Sequence, residues 1–246
     1  MSEIIKEALE FALDVAYNAS KIVLEVYNQG FDVEIKEDDS PVTQADKRSD
    51  EYIRRRIKEK FPTHAILTEE GADDLSRLSS EYIWIIDPLD GTKNFVSHDD
   101  QFAINIALVH KHTIVVGVVI VPVSQEVYYA SKDNGAYYKA TVDAEPLRMN
   151  VSSKKDDLIL LTSVFHNNEE EEAVYKMFSN RISKKRQIGS SIKACLIARG
   201  EAEVSFRFNA NTKEWDTCAP QIIVEEAGGF FTEPDGTKIT YNREDV

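Results

Sequence analysis

Apolar residues recur every three or four positions from Ser2 to about Asn28, a period that predicts an amphipathic first helix. A second helical pattern runs from about Ala45 to Lys60. We expect this helix to end before Pro62, because proline lacks the backbone N–H that an extending helix needs. Asp46 would then lie near the start of the second helix.

Two short apolar runs predict strands that end in acidic residues. Ala65–Thr68 is followed by Glu69 and Glu70, and Tyr82–Ile86 is followed by Asp87. The pattern therefore predicts two strands that converge on carboxylates at their C-terminal ends.

The middle of the chain alternates β-branched or aromatic runs with turn-like pairs, which predicts an antiparallel meander. Its strands are Ala103–His110, Thr113–Val121 and Glu126–Ser131, and Asn134-Gly135 follows as a turn signal. After Ser153 strands and helices alternate. The predicted strands are 158–163, 181–187 and 203–208, and the predicted helices are 169–178, 190–198 and 215–227.

The change of character after Ser153 predicts an α+β chain of two halves, residues 1–153 and residues 154–246. The first half is α+β and the second is α/β. Because no internal repeat or low-complexity linker separates them, we expect the halves to pack closely.

Composition narrows the function classes. Hydrophobic residues make up 42% of 246 residues, and 29 basic against 43 acidic side chains give a net charge of −14. Such a surface repels nucleic acid, although a bound cation can reverse the sign of an acidic site. Two distant cysteines, an acidic N-terminus and no long apolar run predict a cytoplasmic protein without a membrane span.

The segment from Trp84 to Phe95 carries the most informative chemistry. An apolar strand ends at Asp87, proline stiffens the exit, and Gly91 permits a tight turn. Oxygen ligands from Asp87, Asp90 and the Leu89 carbonyl suit Mg²⁺, which usually keeps positions for water and phosphate. Backbone amides of Gly91 and Thr92 would face a phosphate if they begin a helix.

An Asp-Pro-x-Asp-Gly string by itself is more typical of an ordinary loop. Asp216 alone would more often be a capping acid at a helix start. The wider context favours a site, because Glu69, Asp87 and Asp90 follow apolar runs and Asp216 opens a helical pattern.

Four segments, in this order, resemble the inositol monophosphatase superfamily. They are Thr43-Gln-Ala-Asp46, Glu69-Glu70, Asp87-Pro-Leu-Asp-Gly-Thr-Lys93 and Glu214-Trp-Asp-Thr-Cys-Ala-Pro220. The resemblance covers roughly the whole chain. It implies an αβαβα layered sandwich and Mg²⁺-dependent, Li⁺-sensitive hydrolysis of phosphate monoesters.

The resemblance also implies two or three Mg²⁺ ions and their ligands. Glu69, Asp87 and the Leu89 carbonyl match the ligands of the first metal. Asp87, Asp90 and Asp216 match those of the second, so Asp87 would bridge the two ions. The metal site would then lie in residues 1–153, with Asp216 contributed from residues 154–246.

The catalytic pair implied by the resemblance is Thr92 and Asp46, which match the residues that orient the nucleophilic water. On this view no side chain becomes phosphorylated. The chain's histidines need not act as bases.

Within the superfamily the second half looks most like the 3′(2′),5′-bisphosphate nucleotidases, enzymes of sulfur metabolism that act on adenosine 3′,5′-bisphosphate. The implied substrate contacts are Gly91, Thr92, Lys93, Ser190, Ser191, Lys193, Arg207 and Asp216. A second phosphate needs donors of its own, and serine amides at a helix start with a nearby cation can supply them. Taken without the resemblance, the same residues read as a helix cap, a solvated lysine and a strand-edge arginine.

Two departures favour a different ester. Asn94 stands where the nucleotidases tend to have Glu, and Val164 replaces Arg in the segment Thr162-Ser-Val-Phe-His166. The alternative is therefore an inositol monophosphatase or fructose 1,6-bisphosphatase with the same metals. A third possibility is a catalytically silent relative that binds a phosphate ligand or a protein partner; it predicts damaged metal carboxylates, and the sequence keeps them all. The resemblance implies a monomer or a homodimer.

Overall fold

The structure is a computed structural model that describes residues 2–36, 40–165, 168–208 and 212–246. Its helices are α1 (Glu3–Gln29), α2 (Gln44–Lys60), α3 (Thr92–Ser97), α4 (Glu169–Met177), α5 (Ile192–Ala198) and α6 (Glu214–Glu226), with a 3₁₀ turn at Ser76–Ser79. Its strands are β1 (Val33–Ile35), β2 (Pro41–Thr43), β3 (Ala65–Thr68), β4 (Tyr82–Asp90), β5 (Ala103–His110), β6 (Thr113–Val121), β7 (Glu126–Ser131), β8 (Ala136–Lys139), β9 (Leu147–Arg148), β10 (Leu158–Thr162), β11 (Ile182–Gln187) and β12 (Val204–Ser205).

The larger sheet contains seven strands in the order β3-β4-β5-β6-β7-β8-β9. Strands β3 and β4 are parallel, and the neighbours from β4 onward are antiparallel, which confirms the predicted meander. Thr68 pairs with Ile86. Glu69 and Asp87 therefore leave adjacent parallel strands at the same edge, as their positions after two apolar runs predict.

The layers follow from which face each helix covers. Helices α1 and α2 pack on one face of the seven-stranded sheet, and α5 and α6 pack on the other. Beyond α5 and α6 lies the three-stranded parallel sheet β11-β10-β12, and α4 covers its outer face. The described parts of the chain thus form the predicted αβαβα sandwich.

Burial on both faces explains why the central strands of the larger sheet are mostly apolar at successive positions. In β4, Ile83 and Ile85 belong to the core beneath α5 and α6, whereas Trp84 and Ile86 belong to the core beneath α1 and α2. Successive strand residues point to opposite faces, so a sheet covered on both sides needs apolar residues at every position.

The sheet and α6 approach most closely at Gly117 of β6. A Cβ atom placed there would lie 2.4 Å from Ile222 Cγ2 and 2.8 Å from the carbonyl oxygen of Ala219. Because that oxygen is backbone, the helix cannot yield by rotating a side chain. Gly117 therefore sets the distance between the sheet and the helix that carries Asp216.

The predicted strand over residues 203–208 is shorter in the structure, where β12 is Val204–Ser205. The backbone of Phe208 is bound by the first turn of α4 instead of by β10. Asn168 Nδ2 donates to the Phe208 carbonyl at 2.6 Å, and the Phe208 N–H donates to Glu171 Oε1 at 3.2 Å. Side-chain partners thus replace the strand ladder, an outcome that hydrophobic periodicity cannot reveal.

The two sheets divide near the predicted boundary, since β9 ends at Arg148 and β10 begins at Leu158. Helices α5 and α6 nevertheless share one core with the larger sheet. A division into residues 1–153 and 154–246 stays a prediction. His166 lies outside the described residues, and no helix in the described ranges combines the length and apolar character needed to cross a membrane.

We predict that Gly117→Ala lowers the free energy of unfolding by about 1–3 kcal/mol, because the added methyl overpacks a rigid contact. Thermal unfolding followed by circular dichroism measures this as a lower Tm. Thr113→Ala, at an exposed position of the same strand, serves as the control and should leave Tm nearly unchanged. An unchanged Tm for Gly117→Ala would show that α6 is free to move away from the sheet.

Candidate active site

Three carboxylates meet where β4 leaves the sheet. Ligand oxygens of Asp87, Asp90 and Asp216 all lie within 4.8 Å of one another. Asp87 is only 1% exposed. Burial first, and then the nearby Glu69, Asp90 and Asp216 charges, raise the pKa of Asp87 well above its usual range. Like charges held this close in a buried place favour a bound cation.

The turn that carries Asp87 and Asp90 is built by an irregularity in β4. Asp87 pairs with Asn105 and Asp90 pairs with Ala103, so β4 holds one more residue than β5 between these pairs. The Leu89 N–H donates to Asp87 Oδ1 at 3.1 Å. The bulge turns both aspartates toward the same point.

Gly91 closes this turn with a backbone conformation that suits glycine. Its φ is +92°, and an added Cβ would lie 3.2 Å from Ser190 Cβ and 3.3 Å from the Gln101 carbonyl oxygen. The turn thereby packs directly against the segment that precedes α5. Helix α3 begins at the next residue, Thr92.

Asp216 reaches the cluster from the first turn of α6. Its Oδ2 accepts the Lys213 N–H at 2.8 Å, in a capping arrangement at the start of the helix. Burial and then Asp90 raise the pKa of Asp216 to about 6. Asp216 therefore both caps the start of α6 and belongs to the acidic cluster.

Glu69 lies beside this cluster and is held by a cation. Lys36 Nζ is 3.0 Å from Glu69 Oε1 and 2.5 Å from Glu70 Oε1. Burial raises the pKa of Glu69 to about 7, although Lys36 opposes the shift. Glu69 is electrostatically coupled to Asp87 and Asp216, but it is not one of the three carboxylates that converge within 4.8 Å.

Thr92 and Asp46 lie together, as their predicted role requires. Thr92 Oγ1 donates to Asp46 Oδ1 at 3.0 Å. The other oxygen, Oδ2, accepts the N–H and the hydroxyl of Thr43, each at 2.7 Å. Burial raises the pKa of Asp46 to about 6 despite these hydrogen bonds. The carboxylate is thus fixed by the start of α2 and turned toward Thr92.

Two further residues of α2 support the site. The Ser49 hydroxyl donates to the Pro88 carbonyl at 2.9 Å, and the Thr68 hydroxyl donates to Asp50 Oδ1 at 2.7 Å. They brace the β4 turn and the end of β3. Asp46, Ser49 and Asp50 are spaced i, i+3 and i+4, so helical periodicity was a signal that could have found them.

The serines before α5 differ in what they offer a substrate. The Ser191 N–H donates to Asp90 Oδ2, and its hydroxyl donates to Asn105 Oδ1 at 2.8 Å. Ser190 has φ +51°, and its Oγ accepts the Ile192 N–H at 3.4 Å. Ser191 therefore supports the metal-site turn directly, whereas its predicted contact with a second phosphate stays a prediction.

The three predicted cations, Lys193, Arg207 and Lys93, differ in burial. Lys193 is 9% exposed, and its Nζ donates to the carbonyls of Ser190 and Ile188 at 2.7 and 3.2 Å. Burial lowers the pKa of Lys193 to about 8. Arg207 is exposed and its Nε donates to Thr212 Oγ1 at 2.8 Å, and Lys93 is exposed on α3. Lys193 is thus a buried residue, unlike the solvated lysine of the alternative interpretation.

Comparison with known proteins identifies the family of this chain. The model of the inositol monophosphatase family matches residues 5–246. The chain belongs to the inositol monophosphatase family. The match spans both sheets and all the predicted site residues, so the family and fold inferred from four sequence segments are confirmed. As a member, the chain is a phosphatase that acts on small phosphate monoesters.

Individual relatives carry more than one name. The 3′(2′),5′-bisphosphate nucleotidase CysQ of Salmonella typhimurium is 31% identical over 236 residues, covering 95% of this chain and 93% of the relative. The Nus factor SuhB of Pasteurella multocida is 32% identical, covering 93% and 85%. The crystal structure of CysQ from Bacteroides thetaiotaomicron has a TM-score of 0.83 and 33% identity, covering 97% of this chain and 93% of that one.

The acidic cluster makes the metal-free protein sensitive to pH. Because the pKa of Asp216 rises from 3.8 to about 6 on folding, its ionisation opposes folding. We therefore predict that the stability of the protein in EDTA falls as the pH rises between these two values. Asp216→Asn removes this penalty, so the variant should have a higher Tm than the wild type at pH 7 in EDTA.

Added Mg²⁺ should reverse this order, because the variant lacks a ligand charge. Differential scanning calorimetry at several pH values, with EDTA or Mg²⁺, checks both halves of the prediction. Well below pH 3.8 the two proteins should converge, since the carboxyl is then protonated in the folded and unfolded states alike. A variant less stable than the wild type at pH 7 in EDTA would contradict the account.

Proposed function

We propose that this chain is a Mg²⁺-dependent 3′(2′),5′-bisphosphate nucleotidase, which hydrolyses adenosine 3′,5′-bisphosphate to AMP and phosphate. The observation that carries the proposal is the convergence of Asp87, Asp90 and Asp216 within 4.8 Å, beside Glu69 and the Thr92–Asp46 pair. Their oxygen atoms are the hard ligands that Mg²⁺ prefers.

The proposed ligands divide between two ions. Glu69, Asp87 and the Leu89 carbonyl would hold one, and Asp87, Asp90 and Asp216 the other. When bound, Mg²⁺ would neutralise negative charge on the phosphoryl oxygens and lower the pKa of a bound water molecule. The protein's part is to hold these oxygens in a rigid, buried arrangement before the ions arrive.

The nucleophile in this proposal is a water held by Thr92. Because the Thr92 hydroxyl donates its hydrogen bond to Asp46, its oxygen is left to accept a hydrogen bond from water. The Asp46 carboxylate has a pKa of about 6, which lies close to the range a general base needs near neutrality. The water oxygen bonds to phosphorus and gives up one proton, which passes through the Thr92 hydroxyl to Asp46. The bond between phosphorus and the 3′-oxygen breaks, and that oxygen takes a proton from solvent water.

The choice of a bisphosphate rests on two cations near the acidic cluster, Lys193 and Arg207. Lys193 and Arg207 both lower the pKa of Asp216, so both lie within electrostatic reach of the acidic cluster. A substrate that carries a second phosphate can place one group on the metals and the other near these cations. The relatives named as nucleotidases support this assignment.

An inositol or sugar phosphate is the second candidate, because the family whose model matches the chain is named for inositol monophosphatase. Asn94, which favours that candidate in the sequence, has another use in the structure. It is 4% exposed, and its Nδ2 donates to Asp99 Oδ2 at 2.6 Å. Since its amide shapes the turn after α3, Asn94 no longer argues for either ester.

We predict that phosphate release with Mg²⁺ has the highest kcat/KM on adenosine 3′,5′-bisphosphate. Inositol 1-phosphate and fructose 1,6-bisphosphate provide the comparison, and adenosine 5′-monophosphate is the control that lacks a 3′-phosphate. A higher kcat/KM on either sugar ester would overturn the proposed substrate and leave the phosphatase assignment intact.

We predict that Asp90→Asn lowers kcat/KM by more than about 100-fold, because it removes a ligand charge that is needed in the transition state. Asp143→Asn removes the same charge at an exposed position and should retain full activity. Circular dichroism spectra of both variants should match that of the wild type. Near-normal turnover by Asp90→Asn would falsify the assignment of this carboxylate.

A further inference from the structure

Glu214 opens α6 two residues before Asp216 and is completely buried, with 0% exposure. A buried carboxylate is costly unless every oxygen finds donors. The family resemblance uses Glu214 only as part of a sequence segment, and the proposed mechanism gives it no role. Its surroundings show how the cost of burial is met.

A segment far along the chain supplies the donors. The Asn242 N–H donates to Glu214 Oε2 at 2.7 Å, and the Arg243 N–H donates to Glu214 Oε1 at 2.9 Å. Arg243 Nε adds a third contact to Oε1 at 3.1 Å. Asn242 has φ +60°, and such a turn directs successive N–H groups toward one anion. The carboxylate is thus held at both oxygens.

The same segment is tied to the loop that follows Glu69. Arg77 is 2% exposed, and its Nη1 donates to Asn242 Oδ1 and to the Arg243 carbonyl, both at 2.8 Å. The other side of its guanidinium donates to Asp73 Oδ2, from Nη2 at 2.7 Å and from Nε at 2.9 Å. We name these five residues the Glu214 clamp: Asp73, Arg77, Glu214, Asn242 and Arg243.

We propose that Glu214 is a positioning residue for the metal site, acting through the clamp to hold the first turn of α6 against the mutual repulsion of the acidic cluster. The inference rests on the proposed function, because it concerns the ligand role of Asp216. Asp216 has one oxygen committed to the Lys213 N–H, so the orientation of the helix start decides where the other oxygen points. The clamp fixes that orientation through Glu214, two residues before Asp216.

Arg77 extends the same restraint to the β3 side of the site. Asp73 lies four residues after Glu69, and Glu214 lies two residues before Asp216. The clamp thus joins the segment that follows Glu69 to the helix start that carries Asp216. Residues that orient metal ligands typically change metal affinity by about 10–100-fold when they are replaced.

The test is Mg²⁺ binding by the whole chain, measured by calorimetric titration and by the Mg²⁺-dependent rise in Tm. Glu214→Gln should raise the half-saturating Mg²⁺ concentration about tenfold or more. Arg243→Met removes only the guanidinium contact at a partly exposed position, so it should fold and show a smaller increase in the same direction. Arg77→Gln should behave likewise.

Tyr241→Phe is the matched control. It lies in the same segment and removes a buried hydrogen bond, from the Tyr241 hydroxyl to Gln221 Oε1 at 2.7 Å, without touching Glu214. A residue that only anchors this segment lowers Tm and leaves Mg²⁺ affinity unchanged. We therefore expect Tyr241→Phe to lose stability alone, and the clamp variants to lose Mg²⁺ affinity as well.

Unchanged Mg²⁺ affinity in the clamp variants, with normal binding by the wild type, would overturn this inference alone. If Glu214→Gln does not fold, Arg243→Met decides the matter by the same criterion. No Mg²⁺ binding by the wild type would overturn the metal assignment itself, and with it the role of the clamp.

Discussion

The carboxylates of Asp87, Asp90 and Asp216 repel one another across less than 4.8 Å, and much of the surrounding structure serves to keep them there. Burial strengthens this repulsion, because little water remains to screen the charges. An assembly of this kind persists only when each carboxylate is fixed by its own backbone. Asp87 and Asp90 are fixed by a bulge in β4, and Asp216 is fixed by the capped start of α6.

The frame around the cluster is made of contacts that cannot easily slide. Gly117 sets the distance between the sheet and α6, and Gly91 brings the β4 turn against the start of α5. On the opposite side, Ser49 binds the Pro88 carbonyl and Asp50 binds Thr68. Hydrogen bonds at the ligand-bearing turns therefore oppose the repulsion between the carboxylates from several directions.

The carboxylates of the acidic cluster could be predicted from the sequence because each stands next to a local pattern, a strand or a helix start. Asp87 and Asp90 stand in one turn after an apolar strand, and parallel pairing brings Glu69 to the same edge. The residues that support these carboxylates could not be predicted from the sequence in this way. Arg77 and Asn242 are 165 positions apart in the sequence. Ser191, whose N–H donates to Asp90, lies 101 positions after it. Only the folded chain reveals these pairs. The length of β12 was misjudged for the same reason, since side chains of α4 replace the ladder there.

The same division explains why substrate choice is harder to infer than chemistry. The residues proposed to hold metals and water lie at the end of β3 and on α2, β4, α3 and α6, and hydrogen bonds brace them as one unit. The cations proposed for a second phosphate have different surroundings: Lys193 is buried against backbone carbonyls, and Arg207 is exposed beyond β12. Relatives named as nucleotidases and a relative named SuhB match the chain at nearly equal identity. Such similarity is expected when the braced unit dominates the comparison, so the proposed nucleotide specificity depends on residues outside that unit, such as Lys193 and Arg207.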